Sequence, residues 1–440
     1  MADTFIGAAL ARRSLMRLGA AALVLPALPH IAKAAPRAGA GLGFLQTRMP
    51  FWGSAGLAPA GLTLTSALTA ESPFSAVQLV YLNSDTTAHR VDAAAVAPTV
   101  MLSDATNPVN PLGIQDSTLW QPVTFGGKQS GVMPAAVQGN TGIFPGNDLV
   151  HGMLVSDTIP LASLPRTDGV FPLLLTRSYS AGSMPCSMSG DTLVMSPVGG
   201  GAFDAASNGR IVRAGMLAGD VASSPGLSQG TPVAYLAPSA VIFHVNVASL
   251  AVIAGGDSMY QGYGTATHQN DPFHIAACAL STPALPVTVC KVAYQGMSSA
   301  SFQANVEQMI IACSPNFAFI KGASHNDILF GTQAGYQASL NGLVGLGDWC
   351  AGRGIQPAST TEIAFGQTVD NEPYRLAFNN QLRGSGWYIA DWDAAVTDGG
   401  YPAAIQSQYS SFELAPHPND AGDFAISAST LACLQKYLAT

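Results

Sequence analysis

From about residue 241 onward, short apolar runs alternate with segments of helical length, and this alternation constrains the fold more than any other feature. Leu250 to Ala254 runs into Gly255-Gly256-Asp257-Ser258, Thr265 to Leu280 is helix-like, and Val287 to Tyr294 reads as a buried strand. Phe302 to Cys313 is again helical, Phe317 to Lys321 is a strand, and Gln333 to Ala351 has helical length. Glu362 to Phe365 and Trp387 to Ala390 are the next predicted strands, and a last helix runs from about Asp420 to Leu438. Such a pattern implies βαβ units, and hence a parallel sheet covered on both faces. In such sheets, function collects at the carboxyl ends of the strands.

The preceding stretch, about residues 45–240, has a different character. Ala76 to Asn83, Trp120 to Phe125, Leu149 to Asp157 and Val170 to Tyr179 are short and rich in β-branched and aromatic residues. Gly, Pro, Asn, Asp and Ser separate them, and no stretch sustains a helical period for three turns. An all-β sandwich is the expected architecture. The Gly-, Ser- and Ala-rich segment 181–235, with Gly199-Gly200-Gly201, is expected to contain long loops. A chain of 440 residues with 48% apolar content has room for two such domains, each with its own core.

The N-terminus reads as a targeting segment. Arg12-Arg13-Ser14-Leu15-Met16-Arg17 precedes the apolar run Leu18 to Leu28 and then Ala32-Lys33-Ala34. A basic region, an apolar region and a small-x-small site make a signal peptide over residues 1–34, with the paired arginines resembling a twin-arginine signal. An ordinary secretory signal and an amphipathic surface helix are the alternatives. Export places the chain in the periplasm or outside the cell. No segment reaches the roughly 18 apolar residues of a membrane span. A net charge of -8 argues against nucleic acid as a partner. Six cysteines (Cys186, Cys278, Cys290, Cys313, Cys350 and Cys433) fit an oxidising compartment, either paired or as buried free thiols. Their spacing suggests no zinc cluster.

Several residues suited to acyl transfer fall at or just after predicted strand ends. Ser258 follows the first strand, Gly296 the second and Asn326 the third, while His417 lies just before the final helix. Acyl transfer needs a nucleophile, a base within hydrogen-bond reach and donors aimed at the developing oxyanion. Ser258 and His417 are the catalytic pair in this reading. The N–H groups of Ser258 and Gly296 and the Asn326 amide are the oxyanion donors. No cofactor or metal is implied.

The second half resembles an SGNH (GDSL-type) hydrolase domain. Gly256-Asp257-Ser258-Met259-Tyr260-Gln261-Gly262 resembles the first block of that family, and Gln295-Gly296 fits the second loosely. Gly322-Ala323-Ser324-His325-Asn326-Asp327 resembles the third with one residue extra, and His417-Pro418-Asn419-Asp420-Ala421-Gly422 resembles the fifth. Arg375 to Asn380 and Asp391-Trp392-Asp393-Ala394-Ala395-Val396 sit where such proteins carry an R-x-x-x-N helix and a D-x-D-x-A strand end. The resemblance covers residues 248–440. It implies a three-layer α/β/α domain with a parallel sheet, and a serine ester hydrolase working through an acyl-enzyme. In the first half, Val123 to Gly127 and Val155-Ser156-Asp157 resemble a jelly-roll-like sandwich that precedes the hydrolase domain in some secreted bacterial members.

That layout is shared with carbohydrate deacetylases, so O-acetyl or other short acyl groups on a carbohydrate are the expected substrate. The alternatives are a lipase-like esterase of wider acyl range, marked by an apolar patch at the pocket mouth, and a binding protein whose site has lost its activity. One position departs from the family. Where an aspartate three residues before the histidine usually orients the ring, this chain has Leu414, with Glu413 next to it. Either Glu413 reaches the imidazole or a backbone carbonyl does so in a Ser–His dyad, the preferred reading. Asp257 is expected to be a structural hydrogen-bonder. His325 either lines the pocket or bonds to backbone. His268 and His274 are read as surface or satisfied side chains, and Trp349, Trp387 and Trp392 as core or pocket wall.

Overall fold

A computed structural model of the chain describes residues 44–48, 55–99, 117–164, 172–188, 212–224, 231–232, 235–265, 271–282, 284–411 and 417–440. The leader, Gly199 to Gly201, His268, Glu413 and Leu414 lie outside these residues.

In the first half the described strands pair antiparallel. One sheet joins Phe44–Arg48, Ala240–Val245, Phe74–Asn83 and Gly152–Val155 in that order, with Ile159–Pro160 also on Phe74–Asn83. Another contains Leu62–Thr69, Ala93–Thr99, Leu173–Ser180 and Val212–Ala218. Val77, Leu79, Tyr81, Val241 and Phe243 of the first sheet share a core with Leu64, Leu68, Val96 and Leu174 of the second. The expected strand at Trp120 to Phe125 shrinks to Gln121–Pro122, because Phe125 instead bridges to Lys128 across the Gly126-Gly127 turn. Both glycines have positive φ there.

Within Phe74–Asn83 the alternate residues Val80 and Leu82 point away from that core. With Ala240 and Ile242 they pack against Ile253, Cys290 and Val292 of the second half. This sheet is buried on both faces, which explains why Ala76 to Asn83 reads as a nearly unbroken apolar run. Fully burying one such aliphatic side chain is worth about 1.5–3 kcal/mol. The change of pattern expected near residue 241 falls at the connection after Val245, since Ala240–Val245 pairs with strands of the first half.

The second half is built on five parallel strands: β1 (Leu250–Gly256), β2 (Val287–Ala293), β3 (Phe317–Ile320), β4 (Gln356–Thr360) and β5 (Tyr388–Ala390). Their order is β2-β1-β3-β4-β5. The strand expected at Glu362 to Phe365 is displaced: β4 ends at Thr360, and residues 361–365 leave the sheet as a loop. The polar letters of β4 disguise it as a loop, yet all five residues are buried, and Ser359 Oγ donates to Ile320 O at 2.8 Å.

Helices α1 (Ser258–Gln261), α2 (Pro272–Leu280), α3 (Ser299–Cys313), α4 (Gln333–Ala351), α5 (Glu372–Gly384), α6 (Trp392–Val396) and α7 (Asp420–Leu438) connect and follow the strands. Phe302 and Val306 of α3, Leu340 and Leu343 of α4 and Phe378 of α5 pack with Ile253, Ala318 and Ile320. Phe273 of α2, Trp392 of α6 and Ile426 and Leu434 of α7 pack with the alternate residues Val252, Ala254, Phe317 and Phe319. Local signals set the helix starts. Ser298, Thr332 and Asn419 cap α3, α4 and α7. Asp271 caps α2 ahead of Pro272, so that helix starts at residue 272 rather than at Thr265. All six cysteines are free thiols. No helix among the described residues is long and apolar enough to cross a membrane.

The two halves also meet at His151. Asn305 of α3 accepts the His151 N–H at 2.8 Å and donates to Leu149 O at 2.9 Å. Both His151 ring nitrogens are shut from water without a partner, and burial pushes the imidazole from 6.5 down to about 4. The unfolded ring takes a proton below 6.5 and the folded ring only below about 4, so this group lowers stability as pH falls through that window. In urea denaturation at pH 7.5 and pH 4.5, the His151→Phe protein is expected to lose less stability between the two conditions than the wild type.

Candidate active site

Order β2-β1-β3 makes the carboxyl ends of β1 and β3 a topological switch point, the place where open α/β sheets bind ligands. β1 ends there in Gly255-Gly256-Asp257-Ser258. A Cβ on Gly255 would lie 1.8 Å from Val306 Cγ2, and one on Gly256 would lie 2.5 Å from the Tyr260 ring. Glycine is thus demanded by the packing of α3 and of that ring. Tyr260 is fully buried against Phe273 and Trp392 and donates to Thr360 Oγ1 at 3.1 Å. Asp257 Oδ1 accepts the Met259 N–H at 3.0 Å, capping the single turn that carries Ser258. Gly262, at φ 81°, ends it.

His417 Nε2 lies 2.9 Å from Ser258 Oγ, and Ser258 is 7% exposed. The histidine backbone is anchored on both sides. Its carbonyl accepts the Ser411 N–H at 2.9 Å, and Asn419 caps α7 while donating to Gln408 O and Ser410 O. Tyr263 and Phe365 frame the ring, with centroids at 5.1 and 5.8 Å. With its proton on Nδ1, this imidazole can accept the serine proton.

Two loops close the other side. The Ser324 hydroxyl lies 2.6 Å from Met297 O and 3.0 Å from Asp257 Oδ2, and it accepts the Asn326 N–H at 3.1 Å. The Asn326 amide, 7% exposed, donates to Met297 O at 3.2 Å. Ser299 binds Asp327 through both its N–H and its hydroxyl, at 2.8 and 2.6 Å. The Gly296 loop, the Asn326 loop and the nucleophile turn therefore form one hydrogen-bonded body. Gly296 has φ +83°, and a Cβ there would come within 2.7 Å of Asn147 Cβ. Only glycine suits both the backbone and the close approach.

Asn147 belongs to the first half, and so does a second support that sequence reasoning missed. Asp148 accepts the Ser298 N–H at 3.0 Å and the Gly142 N–H at 3.0 Å. Gly142 forms an antiparallel bridge with Asp327. Ile143 N donates to Asn326 O at 2.8 Å, and Ile328 N donates to Thr141 O at 3.0 Å. No local spacing signals this pairing, because its partners are 150 or more residues apart in the chain.

Beneath the nucleophile lies a buried charge cluster that the sequence also concealed. Lys321 Nζ is 2.7 Å from Glu362 Oε2 and 3.4 Å from Asp257 Oδ2, and it also donates to Ala323 O. Burial works against its charge, but the two carboxylates outweigh it and hold Lys321 above its ordinary value. Burial likewise pushes the Glu362 carboxyl up, with Lys321 opposing. Asn379 binds the Glu362 backbone at 2.7 and 2.8 Å, and Arg375 reaches Glu362 O at 2.8 Å. The R-x-x-x-N segment thus fixes this loop.

His325 donates its backbone N–H to Asp257 Oδ2 at 3.1 Å. Its ring, stacked 4.0 Å from Phe365, has no hydrogen-bond partner on either nitrogen, contrary to the backbone-bonded alternative. Burial, reinforced by the Lys321 charge, holds that imidazole well below its usual range. His274 pairs with Asp271 at 2.8 Å, and Trp387 and Trp392 are buried in the core.

No protein-family model matches the chain, and a comparison with curated proteins finds no match. Among solved structures, esterase EstA of a Pseudoalteromonas species is similar at 13% identity and a TM-score of 0.33, over 43% of this chain and 98% of that one. An acetyl xylan esterase of Geobacillus stearothermophilus is similar at 16% identity and a TM-score of 0.33, over 43% of this chain and 96% of that one. A GDSL-like lipase of Bacteroides thetaiotaomicron is similar at 14% identity and a TM-score of 0.33, over 42% of this chain and 87% of that one.

Replacing Lys321 by Met would leave Asp257 and Glu362 buried and facing each other without a cation. Removing one partner from such a cluster costs about 3–5 kcal/mol. Equilibrium urea denaturation of Lys321→Met at pH 7 should show a loss of that size.

Proposed function

We propose that the chain is an exported serine ester hydrolase of the SGNH (GDSL) type, with a three-layer α/β/α catalytic domain behind a jelly-roll-like sandwich. The observation that carries this reading is the 2.9 Å contact between His417 Nε2 and Ser258 Oγ, at the carboxyl end of β1. Ser258 Oγ attacks the ester carbonyl carbon as His417 Nε2 takes its proton. Negative charge on the former carbonyl oxygen is met by the N–H groups of Ser258 and Gly296 and by the Asn326 amide. The same imidazole then protonates the leaving alcohol, and water repeats the sequence on the acyl-enzyme. Every donor in this scheme comes from the chain's own residues. Export rests on the twin-arginine-like leader.

Of the substrates raised above, a short acyl group on a carbohydrate draws support from export and from the sandwich. A wider acyl range draws support from the site itself. Ile143, Phe144, Ile328 and Leu329 are 51–61% exposed and lie on the segments that adjoin Asn326. Large apolar side chains left exposed around a site are a binding feature. We therefore favour esters with an apolar acyl group. For the histidine, we keep the dyad, with a backbone carbonyl as orienting group.

Hydrolysis of p-nitrophenyl esters from acetate to palmitate tests the reading. Ser258→Ala should reduce turnover to background, and Asn326→Ala should lower it by ~10²–10³. An active Ser258→Ala protein would overturn the assignment. Glu413→Gln should cost far less than the ~10⁴ that follows loss of an orienting carboxylate.

A further inference from the structure

We propose that the first half supplies part of the substrate site itself. Ile143 and Phe144 determine specificity by contacting the apolar acyl chain of an ester, an inference that rests on the esterase reading above.

The backbone contact between residues 141–143 and 326–328 is the starting point. Gly142 is bridged to Asp327, and Ile143 N donates to Asn326 O. Ile143 is thereby held next to the residue that carries the oxyanion amide, and Ile328 is held to Thr141 in the same way. Together with Phe144, the exposed Ile143 and Ile328 form an apolar wall along the Asn326 loop.

The wall is held rigidly. Phe144 O accepts the N–H groups of Asn147 and Asp148 at 2.9 and 3.0 Å, closing a turn whose far end packs on Gly296. Asp148 is fully buried and ties the turn to Ser298, while Thr141 Oγ1 donates to Ser298 Oγ at 2.8 Å. Ile143 and Phe144 nonetheless stay half exposed, each at 51%. Large apolar side chains on a backbone fixed by so many bonds, left facing solvent beside the Asn326 loop, call for an apolar occupant. Ile328 and Leu329 also line a cavity of about 550 Å³, with Ala300 and Ala338 and the polar Asn140, Gln303 and Asp327.

The geometry of acyl transfer assigns the occupant. The leaving alcohol must lie within reach of His417 Nε2, so the side framed by Tyr263 and Phe365 takes the alcohol. The carbonyl oxygen points at Gly296 and Asn326. The remaining substituent, the acyl chain, runs along the wall that adjoins Asn326.

Two ester series read this out: p-nitrophenyl acetate to palmitate, and octanoate esters of alcohols of increasing size. Removing apolar contacts from a hydrophobic subsite changes discrimination by roughly 10–200-fold. In Ile143→Ala/Phe144→Ala, the ratio of kcat/KM for octanoate to that for acetate should fall by roughly tenfold or more. Preference within the alcohol series should hold. Labelling of Ser258 by a methyl-chain fluorophosphonate reports that the variant is folded. An unchanged octanoate-to-acetate ratio in a labelled variant, or a shift confined to the alcohol series, overturns the proposal and leaves the esterase reading intact. A wild-type protein that prefers acetate also overturns it. A wild type that hydrolyses no ester overturns both readings.

Discussion

The buried carboxylate of Asp257 is the joint on which the site hangs. One oxygen caps the turn that presents Ser258, and the other receives the Ser324 hydroxyl and the His325 N–H. Through Ser324 the same carboxylate reaches Asn326 and Met297, so the Ser258 turn and the loops of Gly296 and Asn326 share a common anchor. A buried charge with this many donors is costly to desolvate and rigid once satisfied. Lys321 answers the charge from below and joins it to Glu362, whose loop is fixed by Arg375 and Asn379. Preorganisation of this kind is what electrostatic stabilisation of an oxyanion requires, since donors that must move lose much of their effect.

The second organising constraint is the sheet shared between the halves. Because Phe74–Asn83 and Ala240–Val245 are apolar on both faces, the first half cannot expose its outer face cheaply. Burying it against α3 and the parallel sheet brings residues 139–151 against the loops that follow β2 and β3. The bonds of Asp148 to Ser298 and of Ile143 to Asn326 follow from that docking. Packing of the halves and geometry of the loops after β2 and β3 are consequently linked. A change that loosens the sheet contact should be felt at Gly296 and Asn326.

Much of this was legible in the sequence where the signal was local. Helices Gln333–Ala351 and Asp420–Leu438 match the expected spans, because apolar spacing and the Thr332 and Asn419 caps mark them in short windows. Ser258 is legible as a residue after β1 because the apolar run Leu250 to Ala254 gives way to Gly255-Gly256-Asp257. The family resemblance of the Gly-Asp-Ser and His-Pro-Asn-Asp segments pointed to the pair that the fold brings within 2.9 Å. β4 was missed because Gln356–Thr360 is composed like a loop and is made a strand by its neighbours. The roles of Lys321, Glu362, Asn147 and Asp148 were hidden for a related reason. Each depends on a partner far away in sequence, and nothing in the spacing of the residues around it reports that partner.

The central claim is that Ser258 is a nucleophile activated by His417. Reaction with diisopropyl fluorophosphate, followed by mass spectrometry of the peptides, tests it most directly. The account predicts one adduct, on Ser258, formed rapidly in the wild type and orders of magnitude more slowly in His417→Ala. An intact protein that stays unmodified at Ser258, or that labels equally fast without His417, would contradict it.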